Sequence, residues 1–226
     1  MSTNQKWRHA AMVAGLWVAS ASASASPLPT DPATWEPPAP LTQVALWPEG
    51  HAITRPPVTG PESVKNDAIV ELVRQQAASL HIDPNKIGVI GFSAGGHVVA
   101  DVSNASERSY APVDHADKLS ARPNFAMALY PGHLWEGKGL ILNPTVHVTA
   151  KTPPTFIVQA EDDPVDDVRH SLTYYLALKQ AGAPVEMHLY TTGGHAFGLR
   201  KKDLPIGAWP ELAEKWMQSI GMLPAG

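Results

Sequence analysis

The stretch Gly91-Phe92-Ser93-Ala94-Gly95 sets a serine among small residues. A serine hydroxyl is a weak nucleophile until a base takes its proton. The base in turn needs a carboxylate, which fixes its tautomer and stabilises the imidazolium that forms. Both residue types lie downstream. Asp162 and Asp163 stand in "QAEDDPV" (159–165), and His195 stands in "TTGGHAFGL" (191–199). A nucleophile, an acid and a base therefore follow in that order, with two adjacent aspartates competing for the middle role.

Such residues act only if the chain holds them at the ends of rigid elements. "KIGVIGF" is a short continuous apolar run, the pattern of a strand buried on both faces of a parallel sheet. "AGGHVVADVS" continues as a helix, so Ser93 falls on a strand-to-helix turn. A turn that tight demands small residues on both sides of the serine and projects its Oγ from the sheet edge. The helix behind it favours developing negative charge. "NFAMALY" (124–130), "TFIVQA" (155–160) and "VEMHLYT" (185–191) read as further strands. Both the acidic run and His195 follow such a strand directly. Helices are predicted from Asp67, with Ile69, Leu72, Val73, Ala77 and Leu80 at helical spacing and a stop before "HIDPNK". Two more are predicted over Arg169–Ala181, ended by Gly182, and over Trp209–Ile220. Alternating strands and helices predict an α/β fold with a mainly parallel sheet.

The 226 residues suggest one domain preceded by extra chain, and a net charge of −4 leaves no basic footprint for nucleic acid. With no cysteine, neither disulfides nor thiolate chemistry is open to the chain. The histidines His51, His81, His115, His133, His147, His170 and His188 show no compact ligand spacing, so neither metal nor cofactor is expected. His97 is expected to pack near the serine. Trp135 and Trp209 suit either core packing or the wall of a sugar or aryl pocket. Lys6, Arg8 and His9 precede the short apolar run "AAMVAGLWVA" and then "SASASAS". That is the order of a secretory signal peptide, with a cleavage site at Ala23-Ser24-Ala25. The expected organisation is a signal peptide over 1–25, a Pro-rich arm or linker over 26–66 holding one strand candidate, "QVALWP" (43–48), and a catalytic-type domain over 67–226. A secreted or periplasmic location follows, with no membrane attachment after cleavage.

The stretches "IDPNKIGVIGFSAGGHVVA", "PPTFIVQAEDDPVDDVRHSLTYYLALKQAGAPVEMHLYTTGGHAFGL" and "ALWPEG" resemble secreted α/β-hydrolases of the carbohydrate-esterase type, near acetylxylan and feruloyl esterases. The order Ser, Asp, His is also that of α/β-hydrolases. The resemblance implies an α/β-hydrolase-like three-layer sandwich that cleaves acyl or feruloyl esters of plant polysaccharide. It implies Ser93 as nucleophile and His195 as base. The family acid lies three residues beyond the Gly or Ala that ends its strand. Counted from Ala160 that is Asp163, with Asp162 as runner-up. One oxyanion donor is implied at the Ala94 amide.

This sequence departs from the family before the elbow. Only residues 26–85 separate the predicted cleavage site from the elbow strand, and no HGGG-type stretch occurs among them. A shortened sheet and a missing second oxyanion donor are therefore expected. Loss of one such donor typically costs about a hundredfold to a thousandfold in turnover. The elbow strand would also be left as an exposed apolar edge, which favours association of copies. Two further readings stand beside the esterase: a truncated non-catalytic remnant or binding domain, and a prolyl-oligopeptidase-type peptidase.

Overall fold

The computed structural model describes residues 12–14, 67–105, 115–200 and 203–225. Contacts divide the chain into two compact units, residues 1–16 with 65–226 and residues 17–64. All described residues belong to the first. The strand candidate 43–48, the whole of the Pro-rich arm 26–66 and the predicted cleavage site lie outside the described residues.

Parallel strands form one sheet in chain order. They are β1 (Met12–Ala14), β2 (Gly88–Phe92), β3 (Phe125–Leu129), β4 (Thr155–Ala160) and β5 (Val185–Tyr190). Register pairs run Gly88 to Phe125, Ala126 to Thr155 and Thr155 to Val185. Consecutive parallel strands need crossovers. Helix α2 (Ala94–Asn104) follows β2, and α3 (Arg169–Ala181) links β4 to β5. Helix α1 (Asp67–Gln75) precedes β2, and α4 (Trp209–Ser219) closes the chain.

Side chains alternate across the sheet, and this builds three layers. Phe125, Met127 and Leu129 of β3 and Phe156, Val158 and Ala160 of β4 pack with Trp209, Ala213, Trp216 and Met217 of α4. Ala126 and Ala128 pack instead with Val99 of α2. Ile157 packs with Tyr174 and Leu178 of α3. Strands β3 and β4 are buried at every position, which explains why they read as unbroken apolar runs. Trp216 lies edge-on to Phe125 at 6.1 Å and tilted against Phe156 at 5.3 Å. Trp216→Ala is expected to cost about 3–5 kcal/mol of stability, read as a lower denaturant midpoint at unchanged slope. A midpoint within error of the parent would show that α4 does not anchor this layer.

Helix α1 differs from its sequence reading in two ways. Of its apolar residues Val70 is fully buried, with Val73 partly buried against the cluster of Val70, Ile87 and Val102, and Ala77, just beyond its end, is buried too. Leu72 and Leu80 are only partly buried. The helix also stops at Gln75, and the Ala77 amide already bonds three residues back to Arg74. The chain then reverses at His81, φ 54°. Arg74 ties this corner to the approach to β3 through the carbonyls of Ser120 (3.1 Å) and Arg122 (2.9 Å), and to the turn before β2 through that of Pro84.

On the other side of β2, Met12–Ala14 pairs with Gly88–Ile90. The outer edge of the elbow strand, expected to be open, is thus partly paired by a segment inside the predicted apolar leader run.

Candidate active site

Ser93 occupies φ 54°, ψ −123°, a backbone conformation that side-chain-bearing residues rarely adopt. It precedes α2 but makes no side-chain cap bond to that helix, so its hydroxyl is available elsewhere. Steric demand fixes the motif unevenly. A Cβ on Gly91 would collide with the Gly95 carbonyl, and one on Gly96 would come within 2.5 Å of Pro131 Cβ. A Cβ on Gly95 would meet nothing within 4 Å. The expectation of tight packing on both sides therefore holds at Gly91, while beyond the serine the tight position is Gly96.

The three residues singled out by order come together. His195 Nε2 lies 3.0 Å from Ser93 Oγ. His195 Nδ1 lies 2.9 Å from Asp163 Oδ2 and 3.1 Å from Oδ1. The Asp163 side chain is fully buried and the His195 side chain 18% exposed. A buried carboxylate needs donors, and Asp163 has them beyond the histidine. The amides of Val165 (2.9 Å) and Asp166 (3.0 Å) donate to Oδ1, and Gln159 Nε2 donates to Oδ2 at 3.3 Å. Gln159 is itself held by the Ser171 hydroxyl, which donates to its Oε1 at 2.9 Å.

The other aspartate has a different task. Asp162 Oδ1 accepts from the amides of Gly193 (2.9 Å) and Gly194 (2.7 Å), which fixes the loop carrying His195. Adjacent residues on one turn thus split the work, Asp163 facing the imidazole and Asp162 bracing its backbone.

Aromatic packing sets the imidazole plane. Tyr130 lies edge-on to His195 at 5.0 Å and to Phe197 at 4.5 Å. Burial pushes the Tyr130 hydroxyl's pKa up, against the lowering effect of its bond to Gly198 and the nearby Arg200. Trp209 is a core residue, 4% exposed, with its indole donating to the Gly198 carbonyl at 2.7 Å. Trp135 is half-buried, and the Arg169 guanidinium stacks 3.7 Å above its ring. Ser93, Tyr130, His133 and Ala196, four of the five described non-glycine residues with positive φ, lie in the segments that form this site, and the fifth is His81. The Ala94 amide opens α2, where a helix leaves its first amides without a carbonyl one turn back. His97 Nε2 pairs with Asp101 Oδ2 at 3.2 Å one turn along that helix. Burial raises the Asp101 pKa, partly offset by His97. Among the described residues no group of His, Asp or Glu is arranged to hold a metal ion.

His170 supports the loop after β3. Its Nδ1 accepts from the amides of Leu134 (3.0 Å) and Trp135 (2.8 Å), so that nitrogen carries no proton. Burial lowers its pKa, with Asp166 opposing. The folded state therefore resists protonating a group that the unfolded chain protonates freely. Stability from this source is complete above the ordinary histidine value of about 6.5 and is lost as pH falls below it, until His170 protonates in the fold. Wild type is expected to lose more melting temperature than His170→Gln on going from about pH 8 to about pH 5.5. Parallel curves would contradict this.

One close residue has no counterpart in the sequence reading. Asp166 Oδ2 lies 3.1 Å from Ser93 Oγ. The acidic run Glu161 to Asp167 was its only signal.

A BD-FAE family model matches residues 62–125, which hold Ser93, and a prolyl oligopeptidase family model matches residues 132–220, which hold Asp163 and His195. An acetylxylan esterase of Xylanibacter ruminicola is 30% identical over 173 residues, covering 66% of this chain and 32% of that protein. The chain thus spans about a third of that relative. The solved structure of an acetyl ester-xyloside bifunctional hydrolase from Caldicellulosiruptor lactoaceticus is 33% identical with a TM-score of 0.62, covering 70% of this chain and 65% of the other. Thermogutta terrifontis esterase 2, solved with propionate bound, is 26% identical with a TM-score of 0.62, covering 71% and 65%. The fold is a shortened α/β-hydrolase fold.

Proposed function

We propose that this chain is a serine esterase that cleaves acyl esters, acetyl or feruloyl, of plant polysaccharide through an acyl-enzyme. The observation that carries the reading is the continuous relay Ser93 Oγ, His195, Asp163 at 3.0 and 2.9 Å. Likeness to an acetylxylan esterase supports the substrate class.

His195 Nε2 takes the Ser93 proton as Oγ attacks the ester carbonyl carbon. Asp163 accepts the Nδ1 hydrogen, so the tautomer is correct and the imidazolium is stabilised. The carbonyl oxygen becomes an oxyanion beside the Ala94 amide and the N-terminus of α2. Collapse expels the alcohol, which takes the proton from Nε2 and leaves Ser93 acylated. Water then attacks by the same steps, with His195 again as base, and releases the acid. The experiment is acetate release from acetylated xylan by the wild type beside Ser93→Ala. Release that needs Ser93 supports the reading, and release by neither protein overturns it. The prolyl oligopeptidase match over residues 132–220 favours a second reading, peptide hydrolysis. Cleavage of p-nitroanilides in preference to p-nitrophenyl esters would establish it.

Export is part of the same proposal, supported by the basic start, short apolar run and small-residue site of residues 6–25. Cleavage after Ala25 also removes Met12–Ala14 from β2, which leaves an edge on which a second copy can pair. N-terminal sequencing and sedimentation of the exported protein test both points.

A further inference from the structure

The nucleophile is bounded by two carboxylates, and the relay uses only one. Asp166 Oδ2 lies 3.1 Å from Ser93 Oγ and 3.8 Å from His195 Nδ1, and it competes with His195 Nε2, 3.0 Å from Oγ, for the single hydroxyl hydrogen. Its side chain is 13% exposed. Its backbone is fixed at both ends, the amide donating to Asp163 Oδ1 at 3.0 Å and the carbonyl accepting from Gln159 Nε2 at 3.1 Å. Gly132 leaves room for it, because a Cβ there would lie 2.5 Å from Asp166 Oδ1. Its charged and titratable neighbours are His195, Asp163 and His170, whose Nδ1 is already committed as an acceptor.

Acylation changes what this carboxylate faces. The single Ser93 proton leaves for His195, and Oγ becomes an ester oxygen with nothing to donate. Asp166 Oδ2 then has no share in the hydroxyl hydrogen for which it and His195 Nε2 compete in the free enzyme. The acyl carbon is bonded to Oγ, so substituents on the next carbon fall within reach of Oδ2. A buried carboxylate left without that share favours a new donor and opposes a second negative charge.

Resting on the esterase reading, we propose that Asp166 is a specificity-determining residue for the acyl group. Among the acyl groups the site accepts, it favours over plain acetyl those that carry a hydrogen-bond donor or a positive charge next to the carbonyl, such as α-hydroxyacyl and α-aminoacyl groups. It rejects acyl groups carrying a carboxylate there. Two unit charges about 5 Å apart in a protein environment discriminate by on the order of a hundredfold, and partial exposure reduces this towards tenfold.

The test compares kcat/KM for ethyl acetate, ethyl lactate, glycine ethyl ester and monoethyl malonate in wild type, Asp166→Asn and Gly132→Ala. Taking the ratio of glycine ethyl ester to monoethyl malonate in each protein and comparing proteins cancels the intrinsic reactivity of the esters. That ratio is expected to fall by about tenfold to a hundredfold in Asp166→Asn. It should fall in the same direction in Gly132→Ala, which displaces the carboxylate without removing it and serves if the first variant does not fold. A general loss of packing would lower all four esters together and leave the ratio alone. Unchanged ratios with active enzyme overturn the role of Asp166 and leave the esterase reading standing. No hydrolysis of any ester by the wild type overturns both.

Discussion

Ser93→Ala is expected to lower the hydrolysis of p-nitrophenyl acetate by at least about a thousandfold, with the fold intact. The argument starts from the backbone. Ser93 is held at φ 54° and ψ −123°, and Gly91 has no Cβ because the Gly95 carbonyl occupies that space. The elbow therefore aims Oγ at His195 Nε2, 3.0 Å away, and keeps it from capping α2. Alanine relieves nothing in the backbone and removes only the oxygen. What survives is binding and the Ala94 amide, which stabilise charge but supply no nucleophile. The circular dichroism spectrum and the melting temperature should match those of wild type. A variant with more than about a tenth of the parent activity would show that another group, or water alone, attacks the ester.

Asp163→Asn is the second large effect, a loss of about four orders of magnitude in kcat. Asparagine nearly preserves shape but can present an N–H to His195 Nδ1. The imidazole then carries its proton on Nε2, where it cannot accept one from Ser93. Asp162→Asn makes the contrast. Its Oδ1 accepts two backbone amides at 2.9 and 2.7 Å and does not face the ring, and an asparagine oxygen can replace it. Asp162→Asn is expected to retain at least about a hundredfold more kcat than Asp163→Asn. Equal losses from the two substitutions would mean that bracing the loop, and not the tautomer, is what Asp163 provides.

The adjacent aspartates also show what the sequence carries and what it leaves out. The family resemblance, counted from Ala160, implies Asp163 with Asp162 as runner-up, and in the structure the Asp163 carboxylate faces the imidazole. Strands β2, β3 and β4 were legible because both their faces are covered, so they appear as short apolar runs between polar turns. The end of α3 was legible in Gly182, which adopts φ 75° where the helix reverses. Asp166 was not legible. It lies 73 residues from Ser93, and only the fold of the turn after β4 separates it from the solvated acids beside it. The buried stripe of α1 was rotated from the sequence reading because the choice among Ile69, Val70 and Leu72 depends on where Ile87 and Val102 lie. The second glycine of the elbow motif looked like a steric requirement, yet its Cβ position is open and Gly96 carries that demand.

The relay from Ser93 through His195 to Asp163 makes one chemical commitment, that the acyl group passes onto Ser93 Oγ. The direct measurement is intact-protein and peptide mass spectrometry after rapid acid quench of the enzyme with p-nitrophenyl acetate. The account predicts a mass gain of one acetyl group, located on the peptide containing Ser93 and absent from Ser93→Ala. Steady release of p-nitrophenol with no acetyl on that peptide, or with acetyl on another residue, would contradict it.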